Sequence, residues 1–134
     1  MHCEDPVCVS VCPMKGLAIH KEGNGAVVID HSNCLKCQAC VRFCPYGVPK
    51  FDYDAIKVRK CIFCFGRLGE GLEPACVNTC VAGALQVGTL AQIRTLANTA
   101  IGEGCSVWGL ATGWKTSWLY VFPAGVNPPE IMLP

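Results

Sequence analysis

Cys34-Leu-Lys-Cys37-Gln-Ala-Cys40-Val-Arg-Phe-Cys44-Pro45 packs four thiols into eleven residues at the spacing C-x2-C-x2-C-x3-C, closed by a proline. That spacing suits a [4Fe–4S] cubane. A cubane offers its irons at the corners of a small cube, so three thiolates on one tight loop can each take a corner. The fourth cysteine points away and, in chains with two clusters, ligates the other one. Pro45 has no backbone N–H and a fixed φ, which turns the chain out of the short helix expected to carry the cysteine. Zinc is the poorer fit, because a structural zinc site usually draws on two separated ligand pairs. Disulfides would need an oxidising compartment. An iron–sulfur cluster is the expectation for this loop.

Two further cysteine groups echo it. Cys3-x4-Cys8-x3-Cys12-Pro13 has the same ending, and a cysteine just before Met1 would complete C-x2-C-x4-C-x3-C-P. The chain is therefore expected to begin inside a longer one, at an internal methionine. The alternative is a three-thiolate site of the kind a [3Fe–4S] cluster uses. The third group, Cys61-x2-Cys64-x11-Cys76-x3-Cys80, repeats the x3 ending, with Val81 where the others have proline. Taken alone it also fits zinc, as two separated pairs around a tetrahedral ion. The candidate cofactor and metal ligands are thus Cys3, Cys8, Cys12, Cys34, Cys37, Cys40, Cys44, Cys61, Cys64, Cys76 and Cys80. Cys105 stands outside every group and is expected to be a buried small hydrophobe.

Composition agrees with a metal-stapled chain. Gly 14, Pro 9 and Cys 12 in 134 residues imply loops held by something other than apolar packing. A net charge of +1 gives no argument for nucleic acid or for a membrane surface. The longest apolar runs, such as Trp118 to Val126, are short and broken by Pro123 and Gly125, so no direct membrane span is expected. No nucleophile–base pair and no glycine-rich phosphate loop stands out, so no catalytic residue is assigned and the chain is not expected to be an enzyme by itself.

The elements that must position the cysteines are short, and the fold class expected is α+β: small cluster-stapled modules with short helices and β-hairpins. Leu17-Ala18-Ile19 and Ala26-Val27-Val28-Ile29 flank Gly23-Asn24-Gly25 and read as a hairpin over Leu17 to Asp30. His20 and His31 are expected to be solvated turn residues. Lys57-Val58-Arg59-Lys60 is either a solvated face or a source of positive charge for the thiolates that follow. The insert Phe65 to Ala75, with three glycines, reads as a loop. From Thr89, a fair N-cap, Leu90, Ile93, Leu96, Ala97 and Ile101 recur at helical spacing before Gly102. Trp114 to Phe122 alternates as a strand stopped by Pro123, and Pro128 to Pro134 reads as an extended tail. The expected organisation is a cluster module with hairpin insertion at 1–60, the remaining half of a second cluster module at 61–88, and a helix–strand tail for packing or docking at 89–134.

His2-Cys3-Glu4-Asp5-Pro6-Val7-Cys8, Cys44-Pro45-Tyr46-Gly47 and Gly71-Leu72-Glu73-Pro74-Ala75-Cys76 resemble the iron–sulfur (β) subunits of membrane-associated molybdopterin oxidoreductases, of the formate dehydrogenase and dimethyl sulfoxide reductase type. Thr116-Ser117-Trp118-Leu119-Tyr120-Val121 looks like the tail segment of the formate dehydrogenase branch. The resemblance implies ferredoxin-type modules whose cysteine groups ligate crosswise. Carried onto this sequence, it implies one whole site, Cys34, Cys37 and Cys40 with Cys12, and a second with Cys3, Cys8, Cys44 and one vacancy. Cys61, Cys64 and Cys76 would share a cluster with a cysteine of a group this sequence lacks. Cys80 would then be idle or close a four-cysteine site with its neighbours.

The function the resemblance implies is electron transfer between a molybdopterin catalytic subunit and a membrane quinone-linked subunit. The chain would be held at the membrane through these partners, on its periplasmic or cytoplasmic face, in a bacterium or archaeon. Two rivals stand beside it. A free-standing soluble ferredoxin is usually acidic, whereas this chain is near neutral and carries hairpin and tail segments. A zinc-dependent structural or interaction module would be colourless, whereas iron–sulfur protein is brown.

Overall fold

The computed structural model describes residues 2–108 and 120–125. Residues 114–119 of the expected strand and the tail at 128–134 lie outside the described residues. The chain divides into two compact units, one ending at Phe63 and the other beginning at Cys64. Short helices and two-stranded antiparallel sheets make up both, the α+β arrangement expected. Among the described residues no helix is long and apolar enough to cross a membrane.

The first unit contains helix α1 (Val7–Ser10), strands β1 (Ile19–Lys21) and β2 (Val27–Ile29), helix α2 (Ala39–Arg42), and strands β3 (Lys50–Asp52) and β4 (Lys57–Arg59). β1 and β2 form the expected hairpin, with Ile19 opposite Ile29 and Lys21 opposite Val27. Its turn is closed by the Gly25 N–H on the Glu22 carbonyl at 2.9 Å, and Gly25 sits at φ 87°, which only glycine adopts without strain. The first strand begins at Ile19 and not at Leu17. The Leu17 and Ala18 N–H groups are taken by the Met14 carbonyl, at 3.1 and 2.8 Å, in the turn that leaves Cys12. Ala18, Ile19, Ala26, Val27 and Val28 are buried together with Val58 of β4. Val27 and Val28 point to opposite faces of β2 and both are buried, so the hairpin is covered on both sides.

A second hairpin, β3 with β4, was not expected from the sequence. Its signal is Asp52, whose carboxylate accepts the N–H groups of Asp54 and Ala55 at 3.1 and 2.9 Å and so organises the turn between the strands. The same carboxylate meets Arg59 across the ladder at 2.5 Å. The Ala55 N–H foremost, with Arg59, holds the Asp52 carboxyl below its ordinary range.

The second unit contains α3 (Phe65–Gly69), α4 (Ala75–Asn78), α5 (Leu90–Gly102), β5 (Ser106–Trp108) and β6 (Tyr120–Phe122). The insert from Phe65 to Ala75 is therefore not all loop. Its first half is helical despite Gly66 and Gly69, and Arg67 ties the return segment down, its Nε on the Glu73 carbonyl at 2.9 Å and its own carbonyl on the Leu72 N–H at 2.9 Å. β5 pairs with β6, Ser106 opposite Phe122, and β6 stops before Pro123 as the sequence indicates.

α5 starts where the sequence places it. Thr89 Oγ1 accepts the Gln92 N–H at 3.3 Å, and Gln92 Oε1 accepts the Thr89 N–H at 2.8 Å, a reciprocal capping box. Its inward face is narrower than the apolar stripe expected: Ala97 is buried and Ile93 and Ala100 are half-buried, while Leu96 and Ile101 are about half exposed. Cys105 is half-buried, not buried, because it links the helix to β5; its N–H is held by the Ala100 carbonyl at 2.9 Å.

The capping box yields a direct expectation. Thr89→Ala should cost about 1 kcal/mol of local helix stability. Amide hydrogen exchange at Gln92 and Ile93 should quicken accordingly, with exchange in β1 and β2 unchanged.

Candidate metal centre

Three of the short helices are copies of one device. Val7-Cys8-Val9-Ser10, Ala39-Cys40-Val41-Arg42 and Ala75-Cys76-Val77-Asn78 each carry a cysteine at the second helical position. Each helix stops before the next cysteine of its group: Val11, Phe43 and Thr79 are the C-caps, and Cys12, Cys44 and Cys80 follow. The carbonyl of each following cysteine then closes a tight turn, accepting from Lys15 at 3.1 Å, Gly47 at 3.1 Å and Gly83 at 3.0 Å. Had the helix continued, cysteines four apart would share one face. Because it ends, the two sulfurs of a pair part company.

In the first unit they open onto different clefts. Cys12 lines a cleft with Cys34, Cys37 and Cys40, walled by Ala18, Ile19, Ile29 and Val58. Cys44 lines a second, with Cys3 and Cys8, walled by Pro6, Val27, Tyr46, Val48, Pro49 and Lys60. The structure thus brings Cys12 to the central loop and sends Cys44 away from it. The loop wraps the first cleft by taking Lys36 and Gln38 into the left-handed region, at φ 59° and 60°, costly for residues with a Cβ.

The electrostatics of these thiols follow from crowding. Burial first, then Cys8, Cys34, Cys12 and Cys37, push the Cys40 thiol up to about 11. Burial is also the chief cause that raises Cys3 and Cys8, with Cys44 adding to both. Buried thiols facing one another resist ionisation unless a cation joins them, and ligation replaces their protons. Lys60 supplies one positive charge: burial pulls its ammonium below the ordinary lysine range, and Cys8, Cys61, Cys3 and Cys44 pull it back up. Its Nζ donates to the Val27 carbonyl at 2.5 Å and the Cys61 carbonyl at 2.6 Å. The basic run therefore divides, with Arg59 exposed on Asp52 and Lys60 turned towards the thiols.

The third group is split between the units: Cys61 belongs to the first, and Cys64, Cys76 and Cys80 to the second. The Cys61 sulfur accepts the Phe63 N–H at 3.3 Å. Phe63 has φ 57°, close to the 59° of Lys36 at the matching place before Cys37. Cys80 is held below the ordinary thiol range by backbone N–H groups after its turn, Leu85 foremost, then Ala84, Ala82 and Gly83.

Besides the share Lys60 takes, one residue escapes sequence reasoning. His2 is 2% exposed, with Nδ1 accepting the Val27 N–H at 2.8 Å and Nε2 lying 3.5 Å from the Cys61 sulfur. Its place in the sequence, next to Cys3, carries no pattern that separates a buried imidazole from a solvated one. His31 is exposed as expected, but His20 is not a turn residue: it lies half-buried in β1, with Nε2 2.9 Å from Glu22 Oε1.

The residues fit a cluster. Four thiols and apolar walls around the first cleft are an all-sulfur donor set of the kind iron–sulfur clusters use. Among the described residues no three His, Cys, Asp or Glu side chains converge as they would on a single ion. Thiolates around a cubane serve different irons at different corners and need not converge so.

Over 133 residues the chain is 38% identical to the formate dehydrogenase-O iron-sulfur subunit of Escherichia coli (strain K12), an alignment covering 98% of this chain and 42% of that protein. It is 36% identical over 132 residues to the nitrate-inducible formate dehydrogenase iron-sulfur subunit of the same organism, again covering 98% and 42%. Against one chain of the anaerobic dimethyl sulfoxide reductase of the same E. coli strain it is 41% identical over 93 residues, covering 69% of this chain and 44% of that one. The sequence spans about two fifths of the length of these relatives. Residues 1–90 match the 4Fe-4S dicluster domain model, the stretch that holds all the candidate ligands and both clefts, and the chain thus belongs to that family.

Proposed function

We propose that this chain carries electrons through [4Fe–4S] clusters as part of the iron–sulfur subunit of an oxidoreductase complex. Its partners would be a molybdopterin catalytic subunit of the formate dehydrogenase kind and a membrane quinone-linked subunit, through which it is held at the membrane. The observation that carries the reading is the crossing of the two cysteine pairs. Cys12 opens onto the cleft of Cys34, Cys37 and Cys40, and Cys44 onto that of Cys3 and Cys8. The proposed ligands are those two sets together with Cys61, Cys64, Cys76 and Cys80. In this reading residues 1–60 form one cluster module, 61–88 half of another, and 89–134 a packing or docking tail.

A cluster bound in such a cleft supplies one-electron chemistry with little change of shape, at a potential the protein sets within roughly −700 to +450 mV. The chain's own residues do the rest. Cys8 of α1 and Cys40 of α2 sit on helices that pack together, so the two clefts are neighbours. Ala18, Ile19, Ile29 and Val58 give the first an apolar wall, and Lys60 lends charge to the second. Anaerobic purification from native membranes tests the proposal. Brown protein that elutes with larger partner subunits is expected. Brown protein that elutes alone would make it a soluble carrier, and colourless protein with zinc would end the cluster reading.

Two measurements on the isolated clusters follow. Cys37→Ser should remove more of the cluster absorbance than Cys105→Ser, since Cys105 lines neither cleft; equal losses would break the assignment. Chelation of the iron should abolish most of the circular-dichroism signal of ordered structure, because cluster binding energy is folding energy in so thin a core. A cooperative melt retained without iron would show the apolar residues to be sufficient.

A further inference from the structure

His2 is a buried imidazole that no ligand set uses. Its position invites a plain explanation, that it fills the core beneath the hairpin, and its hydrogen bonds exceed that explanation. Nδ1 accepts the Val27 N–H at 2.8 Å, and the Lys60 ammonium, also a donor, lies 3.5 Å from the same nitrogen. A ring nitrogen that receives an N–H carries no proton of its own, so in the neutral ring the proton resides on Nε2. Nε2 faces the Cys61 sulfur at 3.5 Å, within reach of an N–H···S bond. That sulfur already receives the Phe63 N–H at 3.3 Å.

We infer that His2 Nε2–H donates to the Cys61 sulfur and thereby raises the reduction potential of the cluster that Cys61 ligates. The inference rests on the ligation of Cys61 proposed above. His2 acts through the ligand, as partners of metal-bound residues do, by orienting it and tuning its basicity. The reduced cluster carries one more negative charge, part of it on the thiolates. Donors to those sulfurs therefore stabilise the reduced form more than the oxidised one.

The imidazole is braced for this task from three sides. Val27 is fixed by its pairing with Lys21 across the first hairpin and is fully buried. Lys60 ties the Val27 and Cys61 carbonyls together at 2.5 and 2.6 Å, holding the two ends of the bridge at a set spacing. The Phe63 ring lies against the imidazole, centroids 4.9 Å apart and tilted by 44°.

The test is an electron-paramagnetic-resonance-monitored redox titration of the protein in its native complex, isolated anaerobically. His2→Phe keeps a ring and removes the donor; His2→Gln offers an amide with one donor and one acceptor end. At unchanged iron content, His2→Phe should lower the midpoint potential of one cluster and leave the others in place, and His2→Gln should restore most of the loss. Identical midpoints in all three proteins, or equal shifts in both variants, would overturn the inference. Should His2→Phe fail to load, the wild-type protein with isotopically labelled histidine nitrogen decides. A hyperfine coupling from that nitrogen to the reduced cluster is expected, and its absence sinks the bond. Failure of the underlying ligation looks different: Cys61→Ser would leave iron content and every resonance signal unchanged.

Discussion

Cys40 shows the constraint on which the first unit depends. Burial and the neighbouring cysteines push its thiol up to about 11, and the neighbours come from segments as distant as Cys8 and Cys12. Thiols so placed repel one another once ionised, and the apolar walls of the cleft do little to spread the charge. The arrangement is stable in the ionised form when multivalent iron sits among the sulfurs. Ligation by iron would supply the counter-charge these thiols need, so cluster binding would add to the stability of this unit.

The apolar packing is consistent with that dependence. Among the described residues of the first unit, Ile19, Val27, Val28 and Val58 are the buried branched aliphatic side chains. Each contributes about 1.5–3 kcal/mol on burial, and each lies in or against the first hairpin. Three of these side chains also wall a cleft: Ile19 and Val58 the first, Val27 the second. The hairpin is thus the floor on which both clefts are built. The exposed large residues nearby, Leu35 and Phe43 on the central cysteine group, stay outside because their loop is spent on presenting sulfurs.

The sequence was legible wherever one local rule decides. The cysteine spacings, the Thr89 cap, the Gly25 turn and the stop at Pro123 all belong to that class. Each needs a few residues and a single interaction, so no distant contact can overrule it. What escaped was decided at a distance. Whether Lys60 faces water or thiols depends on where Val27 and Cys61 come to lie, and whether His2 is buried depends on the hairpin folding over it. The β3–β4 hairpin was hidden for another reason. Its strands are three residues long, and its turn is made by an aspartate side chain instead of the Asn-Gly signal that marks tight hairpins. The α3 helix was masked by its glycines, each costing about 1 kcal/mol in a helix interior, a cost that a hydrogen bond such as that of Arg67 on Glu73 offsets in part.

The repeated helix explains why the clefts are crossed at all. A four-residue helix with a cysteine at its second position and another just past its C-cap must send the two sulfurs on different courses, because the turn that follows has left the helical path. One such helix has a sulfur to spare. Two of them facing each other, as α1 and α2 do, can exchange the spare sulfurs: Cys12 goes to the loop of α2 and Cys44 to the loop of α1. Neither cysteine group then lines its cleft alone. α4 repeats the same device in the second unit, with Cys80 past its C-cap and backbone N–H groups already directed at that sulfur. α4 thus presents Cys76 and Cys80 as α1 presents Cys8 and Cys12.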